Sequence, residues 1–171
     1  MEKGYVQVYT GDGKGKTTAA FGLAIRAVCA GKKVFIGQFV KGMKYSETKI
    51  EDMIDNIVIK QFGEDCFINV EPTPHDIELA KQGFNEIVEI LNSDEYDMVI
   101  LDELNIATLY KLIEVDDVIE ALKNRNPKIE VIITGRYADK KLIEYADLVT
   151  EMKEIKHYYR QGVEARDGIE R

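Results

Sequence analysis

The chain has 171 residues, 45% hydrophobic and 32% charged, a balance that fits one globular domain spanning residues 1–171 and excludes a disordered chain. Its formal net charge of −8 excludes broad binding to a nucleic-acid backbone, which needs a basic footprint, but leaves room for a local basic pocket that holds one nucleotide. Cys29 and Cys66 form no disulfide framework, no apolar stretch reaches transmembrane length, and the opening Met1-Glu2-Lys3-Gly4-Tyr5 lacks a secretory pattern, so the expected setting is the cytosol with no membrane partner.

Tyr5 to Tyr9 is a short β-prone run that meets Gly11 and predicts a first strand. Thr17 to Ala30 is apolar almost all round and predicts a buried helix ended by Gly31, with Cys29 in the core. Strands are expected at Lys33 to Val40 and Ile57 to Phe62. The clearest amphipathic helix runs from Asp76 to Leu91, where Ile77, Ala80, Phe84, Ile87, Val88 and Leu91 recur at spacings of three and four. Asp97 to Leu101 predicts a strand that runs into Asp102 and Glu103. Val115, Val118, Ile119 and Leu122 mark another helical face. Ile129 to Thr134 predicts a strand, Asp139 to Tyr145 a short helix and Leu148 to Met152 the last strand. Gly42 to Asp55 and Gly63 to Thr73 are polar or irregular and predict loops, of a length usually tied to function. The alternation implies an α/β fold of P-loop type: a mostly parallel sheet with helices on both faces and ligands at the carboxyl ends of the strands.

The segment Thr10-Gly11-Asp12-Gly13-Lys14-Gly15-Lys16-Thr17 lies between a predicted strand and a predicted helix and approximates the P-loop pattern; Thr18, which follows it, is a further candidate binding residue. Glycines let backbone N–H groups curl around phosphate oxygens, and the helix N-terminus adds its positive end. Lys16 neutralises phosphate charge and the Thr17 hydroxyl can hold Mg²⁺. Thr10 departs from the pattern, which has glycine there; Gly11, Gly13 and the extra cation Lys14 compensate. Asp102 and Glu103, at the end of an apolar strand, are the candidate acids for the same Mg²⁺. Spacing alone does not decide which of the two touches the ion.

Further segments carry a resemblance. The run from Thr10 to Ala20 resembles the variant P-loop of the ATP:corrinoid adenosyltransferases, the family that adenosylates cobalamin and its precursors. Gln38-Phe39-Val40-Lys41-Gly42 looks like the family's second-strand motif, and Val99 to Leu104 resembles its acidic strand. Ile132-Ile133-Thr134-Gly135-Arg136 and Ala146 to Glu151 follow in order. Lys156-His157 and then Gly162 to Glu170, with its Gly-Ile-Glu ending, resemble the carboxyl end. The resemblance covers essentially the whole chain. It implies that a reduced corrinoid attacks C5′ of ATP and displaces triphosphate, with Lys16, Thr17 and Glu103 as the catalytic set. Mg²⁺ would sit on Thr17 and Glu103, and Gln38 and Arg136 would join the ligand site. It also implies a nucleotide reversed relative to most P-loop proteins, a homodimer and an external reductant for the corrinoid.

Two departures qualify the resemblance. Family members commonly place a Phe and a Trp after the third strand, against the lower face of the corrinoid. This chain has no Trp, and Phe67 is its candidate wedge, helped by Ile68 or Phe62. Some relatives also carry an N-terminal extension that covers the site. Here the first strand starts near Tyr5, so a cover is expected from the C-terminal tail or a partner subunit. The rival readings are another P-loop kinase or ATPase, which would release ADP or phosphate, and an ATP-responsive binding protein without chemistry.

Overall fold

The computed structural model describes residues 2–40, 46–63 and 72–170. Among them the β-prone runs form six strands: β1 (Val6–Thr10), β2 (Val34–Phe39), β3 (Ile57–Phe62), β4 (Met98–Asp102), β5 (Glu130–Thr134) and β6 (Leu148–Glu151). They make one sheet in the order β3-β2-β4-β5-β1-β6, and every pairing is parallel. Parallel neighbours need crossovers: α1 (Lys16–Cys29) joins β1 to β2, α2 (Pro74–Asn92) joins β3 to β4, α3 (Leu104–Leu109) and α4 (Val115–Asn124) join β4 to β5, and α5 (Lys140–Tyr145) joins β5 to β6.

Alternation along the central strands builds two cores. Val99 and Leu101 of β4 and Val131 and Ile133 of β5 face one side, packed with Phe84, Ile87 and Leu91 of α2, Leu122 of α4 and Leu142 of α5. Met98, Ile100 and Ile132 face the other side, against Ala20, Phe21, Ala24 and Ala27 of α1. Strands buried on both faces read as continuous apolar runs, and β2 and β4 are buried along their whole length. The edge strand β6 is exposed throughout and pairs only with β1 among the described strands.

Several expectations change. Helix α1 is not buried all round: small residues let one face lie close on the sheet, while Gly22, Ile25 and Cys29 are exposed. Cys29 is therefore a surface residue, because it sits in the last turn on the side away from Ala20, Ala24 and Ala27. Residues 46–52, expected as loop, form a 3-10 helix (Ser46–Asp52) pinned by buried Thr48 and partly buried Ile50, too few apolar positions to show a period. Helix α3 was not expected at all. It is six residues long, and its N-cap residue Glu103 makes no side-chain cap. Helix α2 begins two residues earlier than the periodicity suggests, because Thr73 and Asp76 form a capping box: the Asp76 amide donates to Thr73 Oγ1 and the Thr73 amide donates to Asp76 Oδ2. The Thr73 hydrogen bonds hold the Asp76 carboxyl below its usual range.

Gly83 marks the closest approach of α2 to the sheet. A Cβ there would lie 2.4 Å from the Phe62 ring, whose own position is fixed against Phe39. Gly83→Ala gains helix propensity worth about 1 kcal/mol but overpacks a fixed ring at a cost of roughly 1–3 kcal/mol. A net loss of stability is expected, read as a lower denaturant midpoint at unchanged slope. A stabilised variant would show that α2 can lift away freely.

Candidate active site

β1 remains a strand through Thr10, which pairs with Glu151 of β6, and the chain turns only at Gly11. Gly11 and Gly15 adopt φ of 96° and 120°, which other residues rarely reach. Packing adds a second demand. A Cβ on Gly11 would meet the Met152 carbonyl at 2.5 Å, and one on Gly13 would meet the same oxygen at 2.7 Å. The Gly13 amide donates to that carbonyl, and the Met152 amide donates to the Thr10 carbonyl, so the segment after β6 braces the loop. Thr10 Oγ1 accepts from the Ala138 amide, which ties the loop to the start of α5. Gly15 caps α1 without a side-chain bond, so the first-turn N–H groups of α1 remain available to an anion.

Lys16 is buried, and its Nζ donates to the Gly11 and Gly13 carbonyls at 2.7 Å each. Burial pushes its pKa down, Arg136 pushes it down further, and Glu103 and Asp12 oppose that fall. These four side chains therefore share one electrostatic environment, although β1, β4 and β5 supply them separately.

Asp102 is fully buried at the end of β4. Its Oδ1 accepts from Thr17 Oγ1 at 2.8 Å and from Thr134 Oγ1 at 2.7 Å, and its Oδ2 accepts from Gln38 Nε2 at 3.1 Å. Gln61 Nε2 in turn donates to Gln38 Oε1. Glu103 follows in a left-handed conformation, φ 60°, and reaches the cleft. Arg136 follows Gly135, φ 126°, and lines the same cleft from the end of β5.

The cleft encloses 1210 Å³. The loop from Asp12 to Lys16, with Thr17 and Thr18, forms its floor, and Phe21, Gly22 and Ile25 of α1 form an apolar wall. The opposite rim is the C-terminal tail, through His157, Tyr159, Arg160 and Gly168 to Glu170. Lys14 Nζ donates to the Ile169 carbonyl at 2.7 Å and pairs with Glu170 at 3.4 Å. Glu170 also accepts from Tyr158 Oη, from the Arg166 amide and from the Arg166 guanidinium.

Residues 2–171 match the family model described as ATP:corrinoid adenosyltransferase BtuR/CobO/CobP. A corrinoid adenosyltransferase from Sinorhizobium sp is 36% identical, with 99% of this chain and 81% of that protein aligned. Those of Escherichia coli K12 and Salmonella typhimurium LT2 are 35% and 34% identical, each over 99% of this chain and 86% of the relative. The chain belongs to the ATP:corrinoid adenosyltransferase family. Its fold also resembles a KaiC-like protein from Pyrococcus horikoshii OT3, with TM-score 0.52 and 17% identity over 90% of this chain and 75% of that one, a likeness of fold alone.

Within this adenosyltransferase chain, the cleft brings together Asp12, Gly13, Lys14, Gly15, Lys16, Thr17, Thr18, Glu103 and Arg136, while Thr10 and Gly11 form the strand end and first turn behind them. Gln38 and Asp102 stand apart from the lining: both are fully buried, and among the described residues Gln38 reaches the site by holding Asp102. Phe67, Ile68, Cys66, Lys41 and Gly42 lie outside the described residues. Phe62 is buried in the sheet core against Phe39. Thr134 entered the sequence reading only as part of a motif, and its task, linking Asp102 to the Glu103 amide, appears in the structure. A hydroxyl closing an apolar strand was the available signal. Asn105, buried beside this link, gave none.

The tail contact is testable. Hydrogen bonds from Arg166 and Tyr158 hold the Glu170 carboxyl far below its usual range. A depressed carboxylate keeps its contribution above its unfolded pKa, about 4.3, and loses it only as pH falls through the lower folded value, so the latch persists through mildly acidic solution. Glu170→Ala removes the acceptor shared by Lys14, Tyr158 and Arg166. The expected result is faster proteolysis beyond Lys156 at an unchanged melting temperature, because the tail opens locally. Unchanged proteolysis would show that other contacts hold the tail.

Proposed function

We propose that this enzyme transfers the 5′-deoxyadenosyl group of ATP to the cobalt of a reduced corrinoid, cob(I)alamin or cob(I)yrinic acid a,c-diamide, and releases triphosphate. The observation that carries the reading is the convergence of Lys16, Lys14, Arg136 and the α1 N-terminus on one cleft in a chain of this family. The cobalt electron pair forms the bond to C5′, the C5′–O bond breaks, and its pair leaves on the triphosphate oxygen. A nucleophile already reduced needs no general base. The protein's task is to position the nucleotide and stabilise charge on the leaving group. In this reading the triphosphate occupies the loop and C5′ points toward the corrinoid.

Mg²⁺ would be held by Thr17 and Glu103, with Asp102 behind Thr17. The donor set fits: a hydroxyl and a carboxylate are hard oxygen donors, and Mg²⁺ takes one or two carboxylates plus substrate phosphates. No cluster of three or more His, Cys, Asp or Glu able to hold a metal occurs among the described residues. When bound, Mg²⁺ neutralises charge on the phosphate oxygens. Glu103 points to this task because its left-handed backbone turns its side chain into the cleft, whereas all three described bonds of Asp102 go to protein donors.

The enzyme works in the cytoplasm as a homodimer with an external reductant. No helix among the described residues is long and apolar enough to cross a membrane. If Phe67 presses on the corrinoid, Phe67→Ala slows adenosylation from cob(II)alamin with a weak reductant far more than from pre-reduced cob(I)alamin. Equal loss in both modes with a lowered melting temperature would make Phe67 ordinary core.

The deciding assay supplies Mg·ATP and chemically reduced cobalamin. Triphosphate and a cobalt–carbon bond in equal amounts are expected, and ADP or phosphate would overturn the reading. Lys16→Ala should fold and lose activity on the order of 10²–10³-fold, the usual cost of one charge-stabilising donor. Glu103→Gln should weaken Mg²⁺ dependence and turnover at an unchanged melting temperature. Asp102→Asn should instead lose about 1–3 kcal/mol of stability, because buried donors lose their acceptor. The opposite pattern would move the metal contact to Asp102.

A further inference from the structure

Asn105 takes no part in the phosphate cradle, yet it is fully buried in the first turn of α3. Its Nδ2 donates to the Gly135 carbonyl at 2.9 Å. Its Oδ1 is sealed from solvent and meets no donor among the described residues. A half-satisfied amide in an apolar interior is a poorer choice for stability than an apolar side chain that fills the same space. What the amide adds is one directed bond, and that bond falls where the sheet stops providing any.

The described ladder between β4 and β5 ends at Leu101 and Ile133. Beyond it the chain turns away on both sides, at Glu103 into α3 and at Gly135 toward α5. Two side chains bridge the gap. Thr134 Oγ1 accepts from the Glu103 amide at 3.0 Å and donates to Asp102. One residue further on, Asn105 holds the Gly135 carbonyl. The turn is packed as well as bonded: a Cβ on Gly135 would lie 2.9 Å from Asn105 Cβ and 3.2 Å from Glu103 Oε2. The next residue is Arg136, whose exposed side chain lines the cleft.

We propose that Asn105 is a positioning residue: by pinning the Gly135 carbonyl it aims Arg136 at the triphosphate leaving group and fixes its place relative to Glu103. This rests on adenosyl transfer as the reaction and on Arg136 acting in it. The phosphate loop stands on β1 and α1 and is braced by Met152, and its one described tie to the chain after β5, the Ala138 amide on Thr10 Oγ1, falls beyond Arg136. Loss of Asn105 therefore disturbs the chemical step and leaves nucleotide capture intact.

The test is a double-mutant cycle of Asn105→Leu and Arg136→Ala, followed by triphosphate release in single turnovers with pre-reduced cob(I)alamin, together with KM for ATP and melting temperature. Asn105→Leu keeps the number and branching of side-chain heavy atoms and removes both the donor and the orphan oxygen. It should lower the rate per folded molecule by roughly 10–100-fold, the scale of a small misplacement at a reacting centre, with KM held; the stranded Gly135 carbonyl lowers the melting temperature as well. Asn105→Asp, which keeps the shape but loses the donor against Gly135, should lose rate likewise. The double variant should be no slower than Arg136→Ala alone, because a residue that acts through Arg136 has nothing left to aim. Losses that multiply in the double variant would overturn the proposal. So would a wild-type rate from Asn105→Leu, or a lowered melting temperature with an unchanged rate per folded molecule, the mark of plain packing. Wild-type enzyme that releases no triphosphate would overturn the reaction itself, and Arg136's task with it.

Discussion

The site is organised around a buried carboxylate. Asp102 has no exposure, and removing a charge from water is costly unless donors surround it. Here the described donors come from three other elements: Thr17 on α1, Thr134 on β5 and Gln38 on β2. Each has to be in place for the charge to be tolerated, so the requirement couples the elements that carry the phosphate loop and the cleft arginine. Gln61 extends the coupling to β3 by holding the Gln38 oxygen. Asp102 thus acts as a hub, and the neighbouring Glu103 is left to face the cleft.

That division between adjacent acids has a backbone cause. Glu103 sits at φ 60°, a conformation that costs a non-glycine residue roughly 1–2 kcal/mol. Continuing in the extended conformation would send its side chain to the opposite face of the sheet from that of Asp102. The left-handed turn instead starts α3 and directs Glu103 to the cleft. Gly135 at φ 126° and Tyr137 at φ 57° follow β5 in the same region. Glu103 and Tyr137, non-glycine residues with positive φ, stand at the turns after β4 and β5, and the hydrogen bonds of Thr134 and Asn105 hold those turns.

The strands were legible because the sheet is parallel and covered on both faces. Runs such as Val99-Ile100-Leu101 must be apolar throughout, and their ends came within a residue or two. The phosphate loop was legible because glycine spacing and a following lysine have few other uses. What sequence reading missed depends on distance in the chain. Thr134 and Asp102 are 32 residues apart and Gln38 and Asp102 are 64 apart, and no local pattern announces such pairs. Helix α1 misled for a different reason. Its outer apolar residues, Gly22 and Ile25, mimic a buried helix but line the cleft, so the apolar pattern that looked like core includes cleft-facing surface. Cys29 was misplaced by the same resemblance to core.

The departure at Thr10 follows from the last strand. In the general pattern a glycine stands here because the turn begins at once. In this chain β6 pairs with β1 through Thr10, and Met152 donates back to the Thr10 carbonyl, so the backbone stays extended for one residue more. An extended residue tolerates a side chain, and the Thr10 hydroxyl accepts the Ala138 amide at the entry to α5. The glycine requirement passes to Gly11 and Gly13, where the Met152 carbonyl leaves no room for a Cβ. The phosphate loop is therefore shaped at Gly11 and Gly13 by Met152, a residue about 140 positions away in sequence. The tail beyond it then returns to the loop through Lys14. Contacts from one terminal region thus set both the curvature of the loop and the rim of the cleft, which explains why the sequence signal for this site is spread along the whole chain and is not confined to the loop.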